Sequence, residues 1–291
     1  MFEGSFVAIV TPFKNGTVDE EVLRNLIEFQ ITNGTNGIVP CGTTGESATL
    51  DHDEHSKVIS ITVDACKGRV PVLAGTGSNS TKEAIRLTKE AQRAKADGAL
   101  LITPYYNKPT QDGLFRHFEA VAKETDLPII LYNVPSRTSV NMLPDTVRRL
   151  SENKSFVGIK EASGSLQQMS DIIAKCNDKF SLISGDDPLL LPILSVGGKG
   201  IISVTANVAP DKVSKLCAHA AKNEMYEARK LHFELMELNN AMFVETNPIP
   251  VKTALGLMGK IDPELRPPLS PISEENLESL KTVLRKYSLI S

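Results

Sequence analysis

The chain has 291 residues, with 32 Lys and Arg against 35 Asp and Glu and a formal net charge of -3. That balance, without a basic stripe, argues against nucleic acid as a partner. A content of 41% hydrophobic and 23% charged residues is that of a globular chain with enough apolar mass for one large core.

The opening MFEGSFVAIVTPF lacks a basic n-region and does not read as a secretory signal. The longest apolar stretch, Leu189 to Val196, is broken by Pro192 and falls far short of the ~20 residues of a membrane span. Cys41, Cys66, Cys176 and Cys217 lie far apart with no CxxC pair. Neither a disulfide framework nor a zinc site is expected, and the expected compartment is a reducing cytoplasm.

In chain order, short Val- and Ile-rich runs alternate with longer helical patterns. A strand is predicted over 6–10, then a helix over 19–33. A strand over 37–40 precedes a helix over 52–66 that Asp51 caps. A strand over 70–74 leads to a helix over 82–96 with Thr81 as its cap. Strands over 99–103 and 128–132 flank a helix over 113–124, and Pro144 opens another helix. Strands over 156–160, 181–184 and 200–204 complete a set of eight. Runs this apolar suit strands covered on both faces, as in a parallel sheet.

Eight βα alternations predict an α/β fold, a closed (β/α)8 TIM barrel. The rival doubly wound sheet would want a glycine fingerprint in the first turn, and VTPFKNGT is not one. Beyond residue 210 the strands stop, and 211–242, 250–258 and 274–287 read as helical. The expected division is a catalytic barrel over 1–224 and a C-terminal helical extension over 225–291.

In such a barrel the site lies at the C-terminal ends of the strands. The polar turns gather there: CGTTGE, TPYYNKP, LYNVPSRT, GIKEASG, SGDD and SVTAN. Lys160 closes a strand of Phe, Val, Gly and Ile, and Phe156 and Gly158 are expected on its face. Apolar surroundings disfavour an ammonium, and a neutral amine condenses with a carbonyl to give a Schiff base. The competing reading is a strand-end lysine snorkelling to solvent. Tyr132 ends the neighbouring strand, where a phenol can relay protons or simply fill the rim. Thr43 and Thr44, between Gly42 and Gly45, offer hydroxyls and turn N–H groups to a carboxylate, or form only a tight turn. Arg137, in a loop over the mouth, suits a second carboxylate, though solvated loop arginines are common. His52 and His55 lie three apart on one helix face. Without a third ligand, a metal site is not expected.

These motifs together resemble the dihydrodipicolinate synthases, pyruvate-dependent class I aldolases. AIVTPF, GTTGESATL, GTGSN, TPYYNKP, YNVPSRT, GIKEASG, SGDD, SVTAN and NPIPVK carry the resemblance across nearly the whole chain. Arg137 and the TPYYN stretch favour the synthases over sialic-acid lyases and keto-deoxy-sugar aldolases. The resemblance implies that Lys160 forms a Schiff base with pyruvate. It implies that Tyr132, Thr44 and Tyr106 form a proton relay, with Tyr106 reaching in from a neighbouring subunit of a homotetramer. Thr43 and Thr44 would hold the pyruvate carboxylate and Arg137 the carboxylate of L-aspartate-4-semialdehyde. Backbone at Gly185, Asp186 and Ile202 would line the pocket, and no cofactor is implied. It further implies an inhibitory L-lysine site from Ser47, Ala48, His52, His55, Asn79, Glu83 and Tyr105.

Three rivals remain. One is a sugar-acid aldolase of the same class, and one is a pyruvate-responsive binding protein, for which a complete relay has no use. The last is a barrel phosphate enzyme, but GGKG at 197–200 precedes the eighth strand rather than following it.

Overall fold

A computed structural model describes residues 2–291. Among them are ten strands: β1 (Gly4–Ala8), β2 (Phe13–Lys14), β3 (Thr17–Val18), β4 (Gly37–Val39), β5 (Leu73–Gly75), β6 (Gly98–Ile102), β7 (Ile129–Asn133), β8 (Phe156–Glu161), β9 (Ser181–Ser184) and β10 (Gly200–Ser203). Eight run parallel in the order β4-β1-β10-β9-β8-β7-β6-β5. A parallel bridge between Ile38 and Val72 joins the two ends, so the sheet closes into the expected barrel.

The alternation of side chains divides the apolar residues into two bodies. Phe2, Phe6, Leu73, Leu100, Ile130, Ile183 and Ile202 fill the barrel. Val7, Ile38, Ala99, Leu131, Ile159 and Ile201 face outward and are covered by the helices. Strands buried on both faces explain the unbroken apolar runs.

The helices follow their caps. Glu20–Thr32 starts where the Asp19 carboxylate accepts from the Val22 N–H. His52–Cys66 opens on a capping box of Asp51 and Glu54. Some boundaries differ from expectation. Ser80, not Thr81, caps Thr81–Arg93, because its hydroxyl accepts from the Glu83 N–H. Gln111–Ala122 begins before Gly113 because Thr110 supplies the cap. The expected single helical stretch over 211–242 breaks into Pro210–Ala221 and Met225–Ala241, and Asn223 between them takes a left-handed φ of 61°. The third barrel strand covers Leu73–Gly75, and Val72 before it is held by its bridge to Ile38 and by Asp97, whose carboxylate accepts from the Val72 N–H at 2.8 Å and whose N–H donates to the Val72 carbonyl at 2.9 Å.

One correction reaches the site. The register slips between Ile129 and Ile130, so that Ile129 pairs with Phe156 but Ile130 with Gly158. Val157 is the extra residue of this bulge. Phe156 therefore packs in the outer body and Val157 against the inner one. Phe156 does not share the Lys160 face as parity predicts, whereas Gly158 does. A second feature, the small β2–β3 hairpin, turns at Asn15 and Gly16, with φ of 52° and 79°. The Asn-Gly pair is the sequence signal for it.

Beyond the barrel, Met225–Ala241 packs on Pro210–Ala221, and Glu274–Lys286 packs on Met225–Ala241 and Ile249–Leu257. Among the described residues no helix is long and apolar enough to cross a membrane.

Candidate active site

The ends of β4, β7, β8 and β9 surround a cavity of about 460 Å³, lined by Thr43, Thr44, Tyr132, Arg137, Lys160, Gly185 and Asp186 among others. Lys160 and Tyr132 are register partners on adjacent strands. Each is only 7% exposed, and the Lys160 Nζ lies 4.3 Å from the centre of the Tyr132 ring. Such an arrangement sets the Lys160 amine against the face of the Tyr132 ring. Gly185 makes room for this side chain. A Cβ there would stand 2.7 Å from the Ala162 Cβ and 3.0 Å from the Lys160 Cε.

The Gly42–Gly45 turn follows β4 and is closed by backbone bonds from Gly45 N–H to the Gly42 carbonyl (3.1 Å) and from Glu46 N–H to the Thr43 carbonyl (3.1 Å). Thr44 is buried. Its Oγ1 accepts from the Asn247 Nδ2 at 3.0 Å, while the Asn247 carbonyl accepts from Arg137 Nη2 at 3.2 Å. Arg137 is exposed on the short helix Pro135–Thr138, which Pro135 opens directly after the end of β7.

Burial raises the pKa of the Asp186 carboxyl, and that of Asp187 behind it, which the Ser203 hydroxyl and the Val204 and Thr205 N–H groups oppose. On the outward face of β8, Glu161 is buried and pushed up by burial, against hydrogen bonds from the Ser163 N–H and the Asn133 and Gln168 amides. Burial also pushes the Cys41 thiol far up, so it offers no thiolate.

A second cavity of about 440 Å³ adjoins the first, sharing Gly42, Thr43, Leu100, Tyr132, Arg137 and Asn247. Its wall includes Ser47, Ala48, His52, His55, Glu83 and Tyr105. His52 Nε2 lies 2.9 Å from Glu83 Oε1. The Ser78 hydroxyl, ahead of His52, holds the Glu83 carboxyl below the usual range, and burial pushes the His55 imidazole down. Burial, then the Glu83 charge, raises the Tyr105 phenol.

Lys160, Tyr132, Thr43, Thr44, Arg137, Gly185 and Asp186 thus meet at one cavity, and most of the second group meets at the other. Three residues stand apart. Asn79 does not line the second cavity, though its carbonyl accepts from Asn107 Nδ2 at 2.9 Å. Ile202 is packed inside the barrel. Tyr106 is 89% exposed, with a left-handed φ of 69°, and does not line Lys160's cavity within its own chain. The residue reading passed over Asn247, Asn239, Asn240 and Phe243, which line the cavity from the helical extension. The NPIPVK motif was the only sequence signal for any of them. Among the described residues no group of three or more His, Cys, Asp or Glu is placed to hold a metal ion.

A closed (β/α)8 barrel with a buried lysine at a strand end beside a tyrosine defines a class of enzyme, the Schiff-base-forming aldolases. The sequence pattern of the Dihydrodipicolinate synthetase family matches residues 1–287, and the chain belongs to that family, whose members are lyases. The 4-hydroxy-tetrahydrodipicolinate synthase of Citrifermentans bemidjiense is 60% identical over 290 residues, covering 100% of both chains. The chloride-inhibited dihydrodipicolinate synthase from Acinetobacter baumannii complexed with pyruvate superimposes with a TM-score of 0.98, at 47% identity and 100% coverage of both chains. The enzyme from Cyanidioschyzon merolae with lysine bound matches with a TM-score of 0.96, at 40% identity and 99% coverage of both. The names of these relatives favour the synthase reading over the sugar-acid aldolase alternative.

Proposed function

We propose that the protein condenses pyruvate with L-aspartate-4-semialdehyde to form 4-hydroxy-tetrahydrodipicolinate, in the diaminopimelate route to lysine. The observation that carries this reading is the buried Lys160 amine against the Tyr132 ring, in one cavity with Thr43, Thr44 and Arg137. Lys160 adds to the pyruvate ketone carbon, and the carbinolamine loses water to give an imine. A hydroxyl relay of Tyr132, Thr44 and a Tyr106 from a neighbouring subunit carries the protons of that step. The imine withdraws electrons, so a methyl proton leaves and the resulting enamine carbon attacks the aldehyde. The semialdehyde's own amine then adds to the imine carbon, displaces Lys160 and closes the ring.

Thr43 and Thr44 bind the pyruvate carboxylate and Arg137 that of the semialdehyde, while backbone near Gly185, Asp186 and Ile202 completes the wall. The exposed Tyr106 supports exchange of this residue across a homotetramer built as a dimer of dimers. The second cavity, with Glu83 for an ammonium, supports feedback inhibition by L-lysine at Ser47, Ala48, His52, His55, Asn79, Glu83 and Tyr105. The lysine-bound Cyanidioschyzon merolae relative supports the same assignment. We assign the barrel to residues 1–224, the helical extension to 225–291 and the protein to the cytoplasm.

The test is substrate choice. Pyruvate consumption is expected with L-aspartate-4-semialdehyde and not with sugar aldehydes. Turnover with a sugar aldehyde alone would return the sugar-acid aldolase reading. Rates unchanged by millimolar L-lysine at subsaturating pyruvate would remove the inhibitory site.

A further inference from the structure

Behind the Gly42–Gly45 turn lies an ion pair that the chemistry above leaves unused. Lys252, on the helix Ile249–Leu257, is fully buried, and its Nζ stands 2.6 Å from Oε1 of Glu46, itself 4% exposed. A further Nζ hydrogen goes to the Thr11 carbonyl at 3.0 Å, and the ring of Phe13 lies 4.3 Å away. The other Glu46 oxygen accepts from the Arg266 N–H at 3.1 Å. Arg266 in turn grips Glu54 with both guanidinium arms, at 2.6 and 2.7 Å. Four separate segments of the chain thus converge on one pair of charges.

Burying two charges costs several kcal/mol per ion, and apolar residues of the same volume often serve stability equally well or better. Stability is therefore a poor reason for the pair. Its geometric effect is definite, because a charged, hydrogen-bonded contact accepts one register where apolar groups would slide. Glu46 has a left-handed φ of 53°, which a side chain with a Cβ disfavours, and the pair holds it there. Both ends of the pair lead into the site. Thr44 stands two residues before Glu46 and Asn247 five before Lys252, and these two meet at the 3.0 Å bond from Asn247 Nδ2 to Thr44 Oγ1. With its oxygen engaged as an acceptor, the Thr44 hydroxyl has its proton left to donate into the cavity.

We propose that Lys252 and Glu46 are positioning residues: their ion pair locks the Asn247 segment onto the Gly42–Gly45 turn and so sets the direction in which Thr44 gives its proton. This rests on Thr44 acting in the relay. The experiment compares the parent, Glu46→Gln alone, and the double variant Lys252→Met with Glu46→Gln. The last removes both charges without leaving one unpaired.

Circular dichroism reports folding, steady-state kinetics report kcat and the pyruvate KM, and borohydride trapping reports imine formation. The double variant is expected to fold, with kcat down about tenfold to a hundredfold while the pyruvate KM moves less than about threefold. Glu46→Gln, which keeps an oxygen for Lys252, should lose less kcat, but it leaves the buried ammonium uncompensated and should melt below the double variant. Folded variants with the parent's kcat would overturn the proposal. So would loss of the fold in both variants, which would assign the pair to stability alone. A parent that is not trapped on Lys160 would instead bring down the reading of the site, and the proposal with it.

Discussion

Gly185 is the smallest handle on the reactive amine. Adding a methyl group there sets a Cβ 2.7 Å from the Ala162 Cβ and 3.0 Å from the Lys160 Cε, and Ala162, tied by its N–H to the Asn133 carbonyl at 2.9 Å, cannot yield as a flexible chain end does. Gly185→Ala is expected to lower kcat by about tenfold to a hundredfold, because displacements near 1 Å cost that much, and to lower the melting temperature through overpacking of about 1–3 kcal/mol. Arg137 addresses the second substrate. Arg137→Leu should cut kcat/KM for L-aspartate-4-semialdehyde by roughly a hundredfold, the worth of a charged hydrogen bond near 3 kcal/mol, while imine trapping with pyruvate persists. Equal loss of both would place Arg137 in pyruvate binding instead. Lys160 was readable because a lysine ending an apolar strand is chemically out of place. Glu46 and Lys252 were not, since 206 residues separate them and only folding pairs them.

Elements were legible where their signals are local. The apolar runs gave the strands and their parallel pairing, and Asp51 and Pro144 marked helix starts correctly. The bulge at Val157 was not read, because parity assumes an unbroken ladder, and its one local sign in FVGIK is Gly158, a residue that often marks a strand bulge. The break at Asn223 was hidden for a similar reason, since an amphipathic pattern ran on through the turn. The helix His52–Cys66 carries His52 and His55 of the second cavity and rests on its capping box. Asp51→Ala is expected to cost about 1 kcal/mol, a fall of roughly 2 °C in Tm by calorimetry. An unchanged Tm would mean that packing alone sets this helix start.

At the scale of the whole molecule, a buried histidine makes stability fall toward acid pH. His117 is buried, its Nδ1 lies 2.9 Å from the Thr81 hydroxyl, and its Nε2 has no partner. Burial lowers its pKa to about 4. The folded value thus lies below the unfolded one, near 6.5. The stability that its neutral form contributes is complete above pH 6.5 and is lost as pH falls from there through about 4, an amount of order 3 kcal/mol. Urea unfolding of the parent and His117→Gln across that range should show the parent losing more stability than the variant; parallel curves would contradict this. The barrel was legible as a whole because eight βα units admit few topologies. The helical extension's share of the site was not, because Asn247 reaches the mouth only through tertiary packing.

The most direct test of the central claim is borohydride trapping. The protein is incubated with pyruvate, reduced and digested, and the modified peptide is mapped by mass spectrometry. A reduced pyruvyl adduct on Lys160, absent from a Lys160→Met variant, is the expected result. No adduct, or one on a different lysine, would contradict the Schiff-base chemistry and leave a barrel whose reaction is something else.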